Sequence, residues 1–202
     1  MRYGLATLGN KLEDLDSVLD KQNYQVLPLL SVNRNVRKAL RTPPRAFGGI
    51  GLFDLPVEQT IGWINMFLQH YGVDSVLGGK FRASLEALQL ELGCVGCPLR
   101  ERFEVYGCLA TPCWMTSFWE RLQHFQFHIH TTYPSLTAPR EGDKALTALF
   151  VDQGYTGERL CMLNRCRLAL RAMFLSDLVC ANGRCFVASD NEAFENLATR
   201  KA

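Results

Sequence analysis

The chain has 202 residues, of which 48% are hydrophobic and 21% are charged, and its formal net charge at pH 7 is +2. This length allows one large domain or two small ones, and the apolar fraction is enough for a packed core, so we expect a globular protein. A net charge this small gives no reason by itself to expect nucleic-acid binding. Any such function must rest on local clustering of charge.

Residues 1–11 lack the apolar run of a signal peptide, and no stretch reaches the roughly 18 uncharged apolar residues of a membrane span. We therefore expect an intracellular protein, nuclear or cytoplasmic, without a membrane partner. The 8 cysteines are then expected to be reduced core residues or metal ligands rather than disulfides. The same features fit a fragment of a longer protein.

The N-terminal part of the chain has leucines at helical spacing. They predict a helix over residues 10–22 with Asn10 as its N-cap. The apolar pattern of residues 23–30 predicts one or two further helical turns.

Residues 31–50, called the basic segment below, contain 5 positively charged residues and no acidic residue. Such an uncompensated cluster can neutralise backbone phosphates, and arginine suits bidentate phosphate recognition. A solvated basic loop is the alternative interpretation. The candidate nucleic-acid-binding residues here are Arg34, Arg37, Lys38, Arg41 and Arg45.

The basic segment runs into a proline- and glycine-rich connector, residues 43–55. Gly48, Gly49 and Gly51 permit positive φ and the close approach of another backbone, while two prolines stiffen the start of the connector. We expect the connector to position the basic segment against a helical core. A sharp turn that merely happens to be basic is the alternative.

Two helices with apolar stripes are predicted after the connector. The first covers residues 57–71, with Glu58 in its first turn and Gly72 at its end. The second covers residues 77–92, with Asp74 or Ser75 as cap and Gly93 as stop. Both stripes are expected to form core.

The C-terminal half shows helical patterns and two strand signals. Helices are predicted from Thr111-Pro112 through Leu122, with the threonine as N-cap, and over residues 143–153 and 158–175. The aromatic residues of the first are expected in the core rather than stacked on bases. Strict alternation over residues 124–130 predicts a strand, and Asn182-Gly183 predicts a hairpin. Arg165, Arg167 and Arg171 form a second candidate basic patch, with Arg167 and Arg171 on one helix face.

Cysteine and histidine pairs are the candidate metal ligands. Cys94 and Cys97 form a CxxC pair, and Cys108 and Cys113 form a CxxxxC pair. Four thiolates at this spacing are compatible with a tetrahedral zinc site, but a zinc ribbon repeats CxxC. Reduced cysteines in or near the core are therefore the main expectation. His128 and His130 share a predicted strand face without a carboxylate in a recognisable spacing. No cofactor is expected. The cysteines in question are Cys94, Cys97, Cys108 and Cys113.

Catalytic motifs are not found. The sequence has no GxSxG, GxxxxGKS, GxxxxGKT or HExxH motif and no GxGxxG that opens a helix. It also has no adjacent Asp-Asp pair, whereas a nucleotidyl transferase needs paired carboxylates for its magnesium ions. We do not expect the chain to be an enzyme by itself.

Several motifs follow one another in order. Val32-Asn33-Arg34-Asn35 precedes Gly48-Gly49-Ile50-Gly51-Leu52 and Glu58-Gln59. Later motifs are Leu88-Gln89-Leu90-Glu91-Leu92-Gly93, a tryptophan-rich stretch at residues 114–119, Leu163-Asn164-Arg165-Cys166-Arg167-Leu168, Ser176-Asp177-Leu178 and Gly183. This series resembles the region downstream of the catalytic palm in non-LTR (LINE-type) retrotransposon reverse transcriptases.

The resemblance implies a non-catalytic C-terminal fragment of an RNA-directed DNA polymerase, with a thumb and an adjoining connection region that hold template-primer nucleic acid. Its partners would be an RNA/DNA hybrid or duplex backbone, and the fingers and palm of the parent polymerase. We expect a mainly α fold, with a thumb-like helical unit at residues 1–73 and a second helical unit with minor β-hairpin content at residues 74–202. A helical protein-interaction module that meets an acidic partner, or a small zinc module, is the alternative.

Overall fold

A computed structural model describes residues 12–180 of the chain. It is mainly helical, as the sequence predicted, and residues 12–180 contain no β-strand. The α-helices are α1 (Leu12–Leu29), α2 (Lys38–Arg41), α3 (Leu55–Tyr71), α4 (Val76–Leu92), α5 (Phe103–Tyr106), α6 (Trp114–His124), α7 (Leu146–Asp152) and α8 (Gly157–Ala169). Short 3-10 helices cover Arg45–Phe47, Pro98–Arg100, Gly107–Leu109 and Leu175–Asp177.

The chain divides into two compact units, Met1–Gly78 and Gly79–Ala202. The first unit holds α1, α2 and α3, and the second holds most of α4 and all later helices. The sequence placed a boundary at residue 73, before α4, whereas this division falls inside the first turns of α4.

The first unit is built on the packing of α1 against α3. The buried residues of α1 recur every four positions, so they line one face of the helix: Leu15, Leu19, Asn23 and Leu27. On α3 the large buried side chains are Trp63 and Phe67, both fully buried. The turns predicted after residue 22 are confirmed, because α1 continues to Leu29 with Pro28 in its last turn. The proposed cap at Asn10 lies outside the described residues.

The ends of α3 and α4 are fixed by caps. Asp54 Oδ1 accepts a hydrogen bond from Val57 N at 3.4 Å, and Gly72 ends α3 as predicted. At the start of α4, Ser75 Oγ accepts from Gly78 N at 3.1 Å, so Ser75 rather than Asp74 is the cap. Both helices begin where a side-chain oxygen satisfies a free backbone N–H.

The second unit buries the face of α4 that carries Phe81, Leu85, Leu88 and Leu92. Aromatic rings join α4 to α6: the ring centroids of Phe81 and Trp114 lie 5.1 Å apart and are stacked. Two further rings of α6, Phe118 and Trp119, are fully buried. Burial of these rings confirms the prediction that the tryptophan-rich helix contributes to the core.

Three helix limits differ from the sequence prediction. Thr111 is not an N-cap, because its N–H and hydroxyl donate to Glu91 at 2.9 and 2.8 Å, and α6 begins after Cys113 instead. Helix α7 begins three positions after Asp143, and α8 ends at Ala169, well before residue 175. Arg171, with a φ of 53°, lies beyond the end of α8.

The strand predicted over residues 124–130 is wrong. Helix α6 continues to His124, Gln126 has a φ of 56°, and residues 127–130 form neither helix nor strand. The alternation reflects burial: His124, Gln126, His128 and His130 are exposed, and the residues between them are half-buried. A strand also needs a partner for its backbone hydrogen bonds, and none is present among residues 12–180. The hairpin at Asn182-Gly183 lies outside the described residues.

None of the helices between residues 12 and 180 combines the length and the apolar character needed to cross a membrane.

Gly93 is expected to be essential for stability. Its φ is +68°, and an added Cβ would lie against Thr147 Oγ1 and within 2.9 Å of Arg167 Cζ. We predict that Gly93→Ala lowers the free energy of unfolding by about 2 kcal/mol, because alanine is strained in the left-handed conformation and its Cβ would clash with the neighbouring side chains. Denaturant unfolding measures the change.

Gly79→Ala is the matched control, because Gly79 lies in α4 and nothing lies within 4 Å of an added Cβ. This change should raise the free energy of unfolding by about 0.5 kcal/mol through helix propensity. Equal effects of the two substitutions would contradict the role assigned to Gly93.

Candidate nucleic-acid interface

The basic segment presents three of its arginines to solvent. The side chains of Arg34, Arg37 and Arg45 are exposed, whereas Arg41 is half-buried. Lys38 is the first residue of α2, and its side chain lies outside the described part of the structure. The segment therefore places the cations of three predicted residues at the surface.

Arg41 holds the segment together instead of facing outward. Its Nε donates to Val36 O at 2.6 Å, and its Nη2 donates to Arg34 O at 3.3 Å. Its Nη1 also lies 3.6 Å from Asp20 Oδ1 on α1. These contacts fix the path of residues 34–36 through backbone carbonyls, so Arg41 positions the basic segment on α1.

Backbone hydrogen bonds fold the connector back onto α2. Ile50 N donates to Leu40 O at 3.0 Å, and Leu52 N donates to Arg41 O at 2.8 Å. Gly51 N donates to Pro43 O at 3.0 Å. This ladder makes the connector a fixed loop.

The glycines of the connector have the uses that their sequence predicted. Gly48 and Gly51 have φ values of 78° and 75°, which favour glycine. An added Cβ on Gly49 would overlap the carbonyl oxygen of Pro43. The close backbone approach expected here is thus made by the chain's own Pro43.

Two aromatic residues accompany the exposed arginines. The guanidinium of Arg34 lies 4.3 Å from the ring centroid of Tyr24, and its Nη1 donates to the Tyr24 hydroxyl at 3.0 Å. Phe47, at the end of the 3-10 helix that begins with Arg45, is 83% exposed. Sequence reasoning assigned neither aromatic to the site, although Phe47 stands two positions after Arg45.

The second basic patch does not assemble as predicted. Arg165 and Arg171 are exposed, but Arg167 is 4% exposed. Arg167 and Arg171 do not share a helix face, because α8 ends at Ala169. Arg167 therefore belongs to the core of the second unit.

The guanidinium of Arg167 is bound by oxygens of three chain segments. Its Nη2 donates to Leu90 O at 2.6 Å and to Glu91 O at 3.1 Å, at the end of α4. Its Nε donates to Asn164 Oδ1 at 2.8 Å, and its Nη1 donates to Ala172 O at 3.4 Å. Burial lowers the pKa of Arg167.

The structure does not bring the four candidate cysteines together as a group of metal ligands. Among residues 12–180, no three His, Cys, Asp or Glu side chains lie close enough to hold a metal ion. Cys94 is buried, and burial raises the pKa of its thiol to about 12. Cys113 Sγ lies 3.3 Å from Thr116 Oγ1, and Cys108 has Cys161 as its neighbour, whose Sγ donates to Cys108 O at 3.2 Å.

Comparison with known proteins gives no match: no family model, no curated protein and no solved structure corresponds to the chain.

Loss of Arg167 should destabilise the second unit. We predict that Arg167→Ala lowers the free energy of unfolding by about 3 kcal/mol, because several buried oxygens lose a charged donor. Denaturant unfolding monitored by tryptophan fluorescence measures the change.

Arg165→Ala, on the same helix but exposed, is the control and should change the free energy of unfolding by less than about 0.5 kcal/mol. The assignment would be overturned if both variants unfolded at the same denaturant concentration as the unmodified protein.

Proposed function

We propose that the chain holds nucleic acid by its backbone phosphates and that the basic segment of the first unit makes the contacts. The residues that bind phosphate are Arg34, Arg37 and Arg45, together with Lys38. Arg41 fixes the backbone of the segment through its hydrogen bonds. Contacts of this kind position a nucleic acid without reading its sequence. The ligand is an RNA/DNA hybrid or a duplex.

The observation that carries this proposal is the exposure of three arginines in a segment whose path is set by the Arg41 side chain before α2 and by backbone hydrogen bonds in the connector. Residues 31–50 contain no carboxylate that would compensate them. Each phosphate that such a cation neutralises releases a condensed counterion, which makes binding favourable and dependent on salt. Because the loop is already ordered, little conformational entropy is lost when it binds.

The resemblance to non-LTR retrotransposon reverse transcriptases adds the context of this proposal. We infer that the chain acts as the thumb and connection region of an RNA-directed DNA polymerase, in the nucleus or cytoplasm. In this role it is not itself catalytic, and it holds the template-primer next to the fingers and palm of the parent polymerase. The mainly helical fold is compatible with such a region.

Replacement of the three exposed arginines tests the proposal. Arg34→Ala, Arg37→Ala and Arg45→Ala together should weaken binding to an RNA/DNA hybrid on the order of 100-fold at about 0.1 M salt. The slope of log affinity against log salt should fall by about 2 to 3. Fluorescence anisotropy of a labelled hybrid across a salt series measures both quantities.

The control variant combines Lys80→Ala, Arg102→Ala and Arg159→Ala, which removes the same charge from exposed positions of the second unit. This variant should bind nearly as well as the unmodified protein. An equal loss in both variants, or no affinity for the hybrid at low salt, would refute the proposal. Tight binding to polyglutamate without binding to the hybrid would indicate an acidic protein partner instead.

A further inference from the structure

Phe47 is an apolar side chain that the fold holds in solvent. Its exposed fraction of 83% is close to that of Leu29, at 84%, the highest among the large hydrophobic residues from 12 to 180. Single exposed apolar residues are common on protein surfaces. Phe47 differs from Leu29 because it is aromatic and stands inside the basic segment.

The backbone around Phe47 cannot easily collapse to bury the ring. Phe47 N donates to Pro44 O at 2.9 Å, and Gly48 N donates to Arg45 O at 3.0 Å, which closes the 3-10 helix. Gly49 N also donates to Pro44 O, at 3.2 Å. The ring therefore lies on a turn whose backbone is fixed by hydrogen bonds at Phe47 and at the two residues that follow it.

Arg45, an exposed cationic residue, stands in the same 3-10 helix as Phe47. Arg45 lies two positions before it, and Arg45 Nε donates to Ile50 O at 3.4 Å, which holds the arginine along the connector. Arg45 is exposed, so its guanidinium is accessible to phosphate. An exposed aromatic ring and an exposed cation in one short helix are the two elements that bind unpaired nucleotides.

We propose that Phe47 stacks on an unpaired nucleobase while the neighbouring arginines bind the phosphates of the same strand. This inference rests on the proposed function and narrows its ligand to nucleic acid with unpaired nucleotides next to a paired region. A paired base inside a duplex has both faces covered by its neighbours, so only a single-stranded nucleotide or an end offers a free face. Stacking also tolerates any base, in agreement with contacts that read no sequence.

The test compares three forms of one RNA/DNA hybrid: blunt, with a short single-stranded overhang, and with the same overhang made abasic. The abasic overhang keeps every phosphate and removes only the bases, so it separates stacking from charge. The unmodified protein should bind the normal overhang about tenfold more tightly than the abasic overhang. Phe47→Ala should remove that difference between the normal and the abasic overhang.

Two further variants make the result specific. Phe47→Trp should keep the preference, and its added tryptophan fluorescence should be quenched by the normal overhang but not by the abasic one. Val76→Ala, an 81% exposed position of the first unit, should keep the full preference.

The outcomes separate the two proposals. If the unmodified protein binds the blunt hybrid but does not distinguish normal from abasic overhangs, the stacking site is refuted and phosphate binding stands. If Phe47→Ala keeps the preference, another group makes the base contact and the assignment of Phe47 is wrong. If no form of the hybrid binds at low salt, both proposals fail.

Discussion

The buried guanidinium of Arg167 is the interaction on which the second unit depends most. The last carbonyls of a helix have no donor within the helix, and after α4 both Gly93 N and Cys94 N donate to Gln89 O. Arg167 supplies donors to Leu90 and Glu91 in their place. Burying a charge is costly, but the planar guanidinium can satisfy several oxygens at once, which offsets the desolvation. The same contact explains why residue 93 must be glycine, because a Cβ there would touch the guanidinium.

Arg41 performs a related task in the first unit, at the edge of the basic segment. It donates to two backbone carbonyls and approaches Asp20, and it thereby uses its donors within the protein. The arginines of the basic segment thus differ in exposure: Arg41 is half-buried and uses its donors within the protein, whereas Arg34, Arg37 and Arg45 are exposed. The exposed arginines can approach an external anion, although Arg34 also donates to the Tyr24 hydroxyl and Arg45 Nε to Ile50 O.

The parts of this structure that the sequence predicts are decided by interactions between residues close in the chain. The parts that it does not predict are decided by interactions between distant residues. Helices α3 and α4 follow from local rules, since their apolar stripes, Ser75 and Gly93 all act within one or two turns. The strand predicted over residues 124–130 failed because alternation records one-sided burial but not a pairing partner. Arg167 was assigned to the surface because its carbonyl partners lie 76 and 77 residues away in sequence, and an arginine that binds distant carbonyls has the same local pattern as one that binds phosphate. The sequence shows an aromatic residue at position 47, but it does not show that the ring is exposed, because the exposure depends on how the connector folds onto α2.

The connector makes the contributions of charge and stacking separable. Attraction between the exposed arginines and phosphates weakens as salt rises, because counterion release becomes less favourable. Stacking on an aromatic ring has no such counterion term, so its share of the binding free energy grows at higher salt. Since backbone hydrogen bonds fix Phe47 and Arg45 on one turn, both groups can act on the same strand without further ordering of the loop. Under the proposed function, charge would attract any nucleic acid at a distance, and stacking would retain at close range the one that offers an unpaired base.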